Sequence, residues 1–173
     1  MFLFLNLAQQ NHIRTTAIGL AQAPGAAIMS VVGTVDKPYD LLLGRKTYDI
    51  FAGFWPNGPA PIGAVFNKAN KYVLTRGSAK LDWANSYKMR DLDDLRKLKA
   101  GEGPDIVMWG SSTLYPQLLE ANLIDRLQLL ICPIILGKGK KIFGSISHPV
   151  DLKLVSADKS SAGIIMATYE HKG

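Results

Sequence analysis

Residues 106–143, IVMWGSSTLYPQLLEANLIDRLQLLICPIILGKGKKIF, decide the fold. An apolar run, Ile106 to Trp109, stops at Gly110, and Ser111, Ser112 and Thr113 follow it. Leu114, Leu118 and Leu119 then recur at helical spacing, and a second apolar run, 127–136, begins after Ile124-Asp125-Arg126. This order predicts strand, glycine turn, helix, strand. Gly110 lets the backbone come close to a ligand. Residues 111–113 are expected to direct free N–H groups and hydroxyls outward from a helix start, where unpaired donors and partial positive charge favour an anion.

The same alternation extends upstream. Residues 2–5 and 12–20 read as strands, Pro24-Gly25 marks a turn, and 26–32 suits strand or helix. Residues 40–43 read as a short buried strand ending at Gly44, followed by a helix over 46–54 with Tyr48, Phe51 and Trp55 at helical spacing. A loop at 57–61 and a short helix at 62–68 come next, then strands at 71–75 and 85–89. Asp91 is expected to cap a helix whose apolar face is Leu92, Leu95 and Leu98, with Asp93 and Asp94 in the favoured first turn and a stop at Ala100-Gly101. Downstream, strands at 152–157 and 163–170 form a hairpin around 158–162. The expected architecture is α/β: a mostly parallel central sheet between helices, with an antiparallel C-terminal hairpin, in one domain spanning 1–173.

Composition narrows the function classes. The chain has 173 residues, 47% hydrophobic and 20% charged, which suits a folded domain with a real core rather than a disordered chain. The net charge of +6, from 20 basic and 14 acidic residues, favours anionic partners. The basic residues are scattered, however. Their densest cluster, Lys138, Lys140 and Lys141, is broken by glycine and has no interleaved aromatics, so nucleic acid is not the expected partner. No run approaches the roughly 18 apolar residues that cross a bilayer. The opening MFLFLNLA lacks a basic start and a small-residue cleavage site, so a cytoplasmic protein is expected. The single cysteine, Cys132, reads as a buried thiol. His12, His148 and His171 are isolated and lack metal-ligand spacing; no metal is expected. Trp55 and Trp109 read as core residues, and no general acid can be named.

Three strands end in polar or glycine-rich turns: LLLGRKT (41–47), VLTR (73–76) and WGSSTL (109–114). Each alone is ordinary turn chemistry. All three are expected at carboxyl ends of sheet strands, the edge where open α/β sheets bind ligands. Arg45 and Arg76 directly follow strand ends, and two guanidinium forks on one edge suit an adenosine 2′-phosphate. Thr47 and Thr75 offer hydroxyls, and Lys46 a point charge.

Four segments, GRKTYDIF (44–51), KYVLTR (71–76), residues 106–144 and GIIMATYE (163–170), together resemble the bacterial dihydrofolate reductase-like family. That family shares its fold with the reductase domain of the bifunctional riboflavin biosynthesis protein. The resemblance runs in order over residues 36–170. It implies a dihydrofolate reductase-type fold, NADPH as cofactor, and hydride transfer to a small heterocycle of the pterin or 5-amino-6-(5-phosphoribosylamino)uracil type. Carried over by position, Gly44, Arg45, Lys46 and Thr47 would meet the pyrophosphate and 2′-phosphate region. Thr75 and Arg76 would flank the adenosine, and Gly110, Ser111, Ser112, Thr113 and Leu114 would hold the pyrophosphate. Leu136 and Gly137 would lie toward the nicotinamide and substrate. A homodimer is also expected. The chain departs from the pattern at its start: residues 1–35 are divergent and shortened, with Ile18 and Gly19 where an acidic residue and glycine turn would stand, and the substrate-lining helix reduced. A nucleotide-binding protein of this fold without turnover is the alternative.

Overall fold

The computed structural model describes residues 2–3, 13–18, 38–58, 62–135, 143, 146–161 and 163–171, with the backbone path alone for those before residue 38. In chain order the elements are β1 (Phe2–Leu3), β2 (Ile13–Ile18), β3 (Tyr39–Gly44), α1 (Arg45–Phe54), a 3₁₀ turn (Trp55–Asn57), α2 (Ile62–Lys68), β4 (Lys71–Leu74), β5 (Ser86–Met89), α3 (Leu92–Ala100), β6 (Asp105–Met108), α4 (Tyr115–Glu120), β7 (Arg126–Ile131), β8 (Leu152–Lys159) and β9 (Ile165–His171). They build one sheet in the order β5-β4-β3-β6-β2-β7-β9-β8, with β1 paired to the end of β2. β5 through β7 run parallel, and β9 and β8 add the antiparallel hairpin. The expected α/β architecture is the observed one.

Continuous apolar runs become central strands because both faces of the sheet are covered. Leu41, Leu42 and Leu43 of β3 are wholly buried, as are Val107 and Met108 of β6. The step from β3 to β4 runs opposite to the steps from β5 to β6 and β6 to β7. Right-handed crossovers therefore lay α1 and α2 on one face, α3 and α4 on the other. An aromatic cluster fixes the first layer: Phe51 of α1 stacks on Phe66 of α2 at 5.7 Å between centroids, and Trp109 meets Phe66 edge-on at 5.0 Å. Such pairs add about 0.5–1.5 kcal/mol each beyond their burial. Trp109 is thus the core residue expected. Asp91 accepts from the amides of Asp93 and Asp94, as its cap position predicts.

Lys71 has no exposed surface. Its Nζ donates to three main-chain carbonyls at the end of α2, Phe66 at 2.8 Å, Asn67 at 3.1 Å and Ala69 at 2.8 Å, and lies 4.4 Å from the Trp83 ring centroid. The ammonium thus satisfies carbonyls that a helix end leaves open. Burial pushes its pKa down to about 8, and the charge of Asp40 pulls the other way.

Three expectations shift. The run 127–136 is a strand only as far as Ile131, because Pro133 has no N–H for the ladder and Ile134 N turns back to Cys132 O at 2.8 Å. Ile134 and Ile135 are consequently exposed, and Cys132 is half-buried against the core rather than inside it. The hairpin strand β8 continues to Lys159, so its turn is 160–164, closed by Ser160 N to Ile164 O at 2.9 Å and by Gly163 at φ +76°. β8 pairs with β9 along one side and shifts register between Leu154 and Ser156.

Candidate functional site

β4, β3 and β6 are adjacent and parallel, with Gly44 opposite Leu74 and Leu42 opposite Met108. The three polar turns therefore leave the same edge of the sheet from neighbouring strands. From β3 the chain passes to α1 on one face; from β6 it passes to α4 on the other. The crevice between such strands is the usual ligand site of open α/β sheets.

The two turns that flank this crevice interlock. The Gly44 amide donates to Ser111 Oγ at 2.6 Å, and both the N–H and the hydroxyl of Ser111 donate to Thr47 Oγ1 at 3.1 Å. Gly110 and Ser111 lie at φ +69° and +61°, which turns the peptide back toward α1. A Cβ on Gly110 would sit 2.9 Å from Thr47 Oγ1, and one on Gly44 would sit 2.8 Å from Ser111 Oγ. Ser111 is therefore not the outward-facing donor expected. Its polar groups are spent on holding α1 against the end of β6. Nor does the helix begin at Leu114: residues 111–114 form a turn closed by Leu114 N to Ser111 O at 2.7 Å, and α4 starts at Tyr115. Thr113 remains exposed on this turn, while Ser112 and Leu114 are half-buried.

Charge at the edge is positive. α1 begins without a side-chain cap and without an acid in its first turn. Arg45 and Lys46 stand there instead, a placement that opposes the helix dipole and that an anion would relieve. Lys46 and Arg76 are exposed, and Thr47 and Thr75 are buried. Thr75 Oγ1 accepts from Gly77 N at 3.1 Å, and Gly77 O accepts from Lys88 Nζ at 2.8 Å, which shapes the loop that carries Arg76. Arg45 is the exception among these cations. Its Nε and Nη2 meet the two oxygens of Asp49 at 3.0 and 2.7 Å, and Nη1 reaches the carbonyls of Ala79 and Lys80 at 3.2 and 3.3 Å. The hydrogen bond to Asp49 raises the pKa of Arg45 above its ordinary value.

The family model described as RibD C-terminal domain matches residues 37–166, a span that includes all three turns. The chain belongs to the RibD C-terminal domain family. The uncharacterized protein YyaP of Bacillus subtilis is 28% identical over 139 residues, covering 77% of this chain and 74% of its own. Among solved structures, a Shewanella sp. PV-4 protein provisionally assigned to riboflavin biosynthesis superposes with a TM-score of 0.63 at 17% identity, over 90% of this chain and 84% of that one. Dihydrofolate reductase from Enterococcus faecalis, in complex with NADP(H), gives 0.59 at 17% identity, over 86% and 83%. At these identities the structural likeness concerns the fold, and it confirms the dihydrofolate reductase-like reading of the sequence.

Not every predicted position of this RibD C-terminal domain falls in the described part. Leu136, Gly137, the lysines 138, 140 and 141, His12 and Gly19 lie outside the described residues, as do residues 20–37. His148 is held at the C-terminal end of α4, where its Nδ1 lies 3.8 Å from the Glu120 carboxylate. It sits with Ser147 and Glu120 beside a hollow of about 460 Å³ lined by Leu119, Ile146 and Leu152. Hydrogen bonds from Ser147 hold the Glu120 carboxyl below its ordinary pKa. Among the described residues no three His, Cys, Asp or Glu side chains gather as a metal site, and no helix is long and apolar enough to cross a membrane. Sequence reasoning missed Asp49. Its i,i+4 spacing from Arg45 was the available signal.

Proposed function

We propose that this chain is an NADPH-dependent reductase that transfers hydride to a small heterocyclic substrate of the pterin or 5-amino-6-(5-phosphoribosylamino)uracil type. The observation that carries this reading is the crevice between β3 and β6, flanked by two side-chain-free positions, Gly44 and Gly110, and by the uncapped, doubly cationic start of α1. Membership of the RibD C-terminal domain family and likeness to a reductase complexed with NADP(H) support it.

The residues present fit the cofactor's anionic half. Lys46 and the α1 terminus would face the pyrophosphate from one side, Ser112 and Thr113 from the other, and Arg76 would take the ribose 2′-phosphate beside Thr75. When bound, the nicotinamide supplies the hydride. The protein's contribution is then orientation: the Gly44–Ser111–Thr47 hydrogen bonds hold both sides of the crevice at fixed spacing, so that binding is not spent on ordering them.

The reading is tested by titrating the purified protein with NADPH and NADH, following tryptophan fluorescence, and then following NADPH oxidation across pterin and aminopyrimidine substrates. Saturable NADPH binding with turnover of one class is expected. Binding without oxidation of any substrate favours a nucleotide-binding protein without catalysis, and no binding of either dinucleotide overturns the site.

A further inference from the structure

The 111–114 turn precedes one end of α4; the hollow beside His148 lies at the other. It measures about 460 Å³ and opens between α4 and the segment that leads into β8. Small-molecule pockets run from about 300 to 1,000 Å³. Six of the eight side chains that line it are apolar, among them Leu119, Phe143, Ile146, Val150 and Leu152. The other two are Ser147 and His148. Phe143, Ile146, Val150 and Leu152 are only half-buried, so this wall keeps apolar carbon in water that an apolar guest would cover.

The outer wall is anchored. Ser147 donates to Glu120 Oε1 through its amide at 2.6 Å and through its hydroxyl. These bonds hold the 143–152 segment to the end of α4, so the hollow is formed before a ligand arrives. They also favour the ionised carboxylate. His148 Nδ1 approaches the same oxygen, at 3.8 Å, with its side chain 60% exposed. Oε2 meets no partner among the described residues, and no lysine or arginine there pairs with Glu120. The rim of an apolar hollow thus carries an ionised carboxylate with one oxygen unused, which suits a charged donor.

We propose that this hollow is a binding site for a small amphipathic amine, whose aromatic or branched aliphatic body fills it while its primary ammonium pairs with the Glu120 carboxylate at the rim. An anionic head meets a like charge there. A neutral head gains the apolar contacts but not the ion pair. Burial of the body therefore supplies the affinity common to all three heads, and Glu120 supplies the choice among them.

The test uses the full chain and three probes of one body and different heads: phenethylamine, phenethyl alcohol and phenylacetate. Each is titrated while amide NMR shifts are followed. Phenethylamine should bind saturably and most tightly, phenylacetate least, with shifts centred on Glu120 and residues 143–152. E120Q keeps an acceptor for Ser147 and removes the charge. It should weaken phenethylamine about three- to tenfold, the loss for a partly screened ion pair, and leave phenethyl alcohol within about twofold of wild type. V150W fills the hollow and should abolish binding of all three; E120Q is isosteric and carries the test by itself should V150W not fold. Amine binding should be undiminished by excess NADPH, whose proposed site is the crevice. Saturable binding of none of the probes overturns the proposal, as do equal affinities for the three heads, shifts centred elsewhere, E120Q binding the amine as wild type does, or displacement of the amine by NADPH.

Discussion

The amide of Gly44 and the hydroxyl of Ser111, 67 residues apart in sequence, are joined by a hydrogen bond of 2.6 Å. This contact ties the end of β3 to the turn after β6, two strands whose chains depart to opposite faces of the sheet. Without it the amide of Gly44, the last residue of β3 and the one that precedes α1, would lose its side-chain acceptor.

Replacing Ser111 with Ala should therefore cost about 1–2 kcal/mol, the penalty for a part-buried donor left unpaired. Thr47→Val removes the acceptor of the Ser111 N–H and should cost a similar amount. Because the two share one network, the double variant should lose less than the sum of the singles. Urea denaturation of the four proteins measures the coupling; strict additivity would mean that the two hydroxyls act independently.

Gly110→Ala should be more damaging. The position requires φ +69°, and the new Cβ would lie 2.9 Å from Thr47 Oγ1 and 3.0 Å from its Cγ2. Backbone strain alone is about 1–2 kcal/mol for such a conformation. Thr47→Ser, made in the same chain, removes the Cγ2 contact and should restore only part of the loss. Full restoration in thermal melts would show that crowding, not conformation, governs the site.

Lys71 predicts a pH dependence whose sign is opposite to that of a surface lysine pair. Its folded pKa is depressed to about 8, against an ordinary 10.5. Between these values the unfolded chain binds more protons than the folded one, so stability rises with pH across that window. The contribution is full above the unfolded value and is lost as pH falls through the folded one. The difference is on the order of 3 kcal/mol. Lys71→Met should be less stable at neutral pH, because three carbonyls lose their donor, but it should lack this slope. Urea midpoints of both proteins from pH 7 to 11 give the comparison. Parallel curves would exclude Lys71 as the source.

Arg76→Ala should weaken NADPH by about ten- to a hundredfold and leave NADH nearly unchanged, the loss expected for one charge-assisted contact of roughly 1.5–3 kcal/mol. Fluorescence titration of both coenzymes reads the difference. Equal losses would place the 2′-phosphate elsewhere.

The legible parts of the chain were those whose signals are local. The leucines of β3 and the apolar run of β6 announce strands because both sides are covered, and Asp91 announces α3 because its cap bonds reach only two and three residues ahead. That the three turns share an edge was also readable, since strands linked by helices tend to run parallel. What the turns do with their polar groups was not. The partners of Ser111 are 64 and 67 residues away, so its hydroxyl looked free. Arg45 looked free for the same reason: the carbonyls that hold it lie 34 and 35 residues on. Lys71, the first residue of KYVLT, gave no hint of burial, because its acceptors are main-chain oxygens and carry no residue signature.

Among the described residues β8 ends the strand order, and its outer margin bears on how copies of the protein meet. Val155 interrupts its ladder, Leu154 and Val155 are half-exposed, and Lys153, Asp158 and Lys159 stand along the same strand. A strand arriving from a neighbouring molecule would find a broken template and charge to strip of water, which discourages end-to-end growth into fibrils. The hairpin can thus lie open at the margin of the sheet without seeding polymerisation, and crowded solutions should stay clear of β-type aggregates.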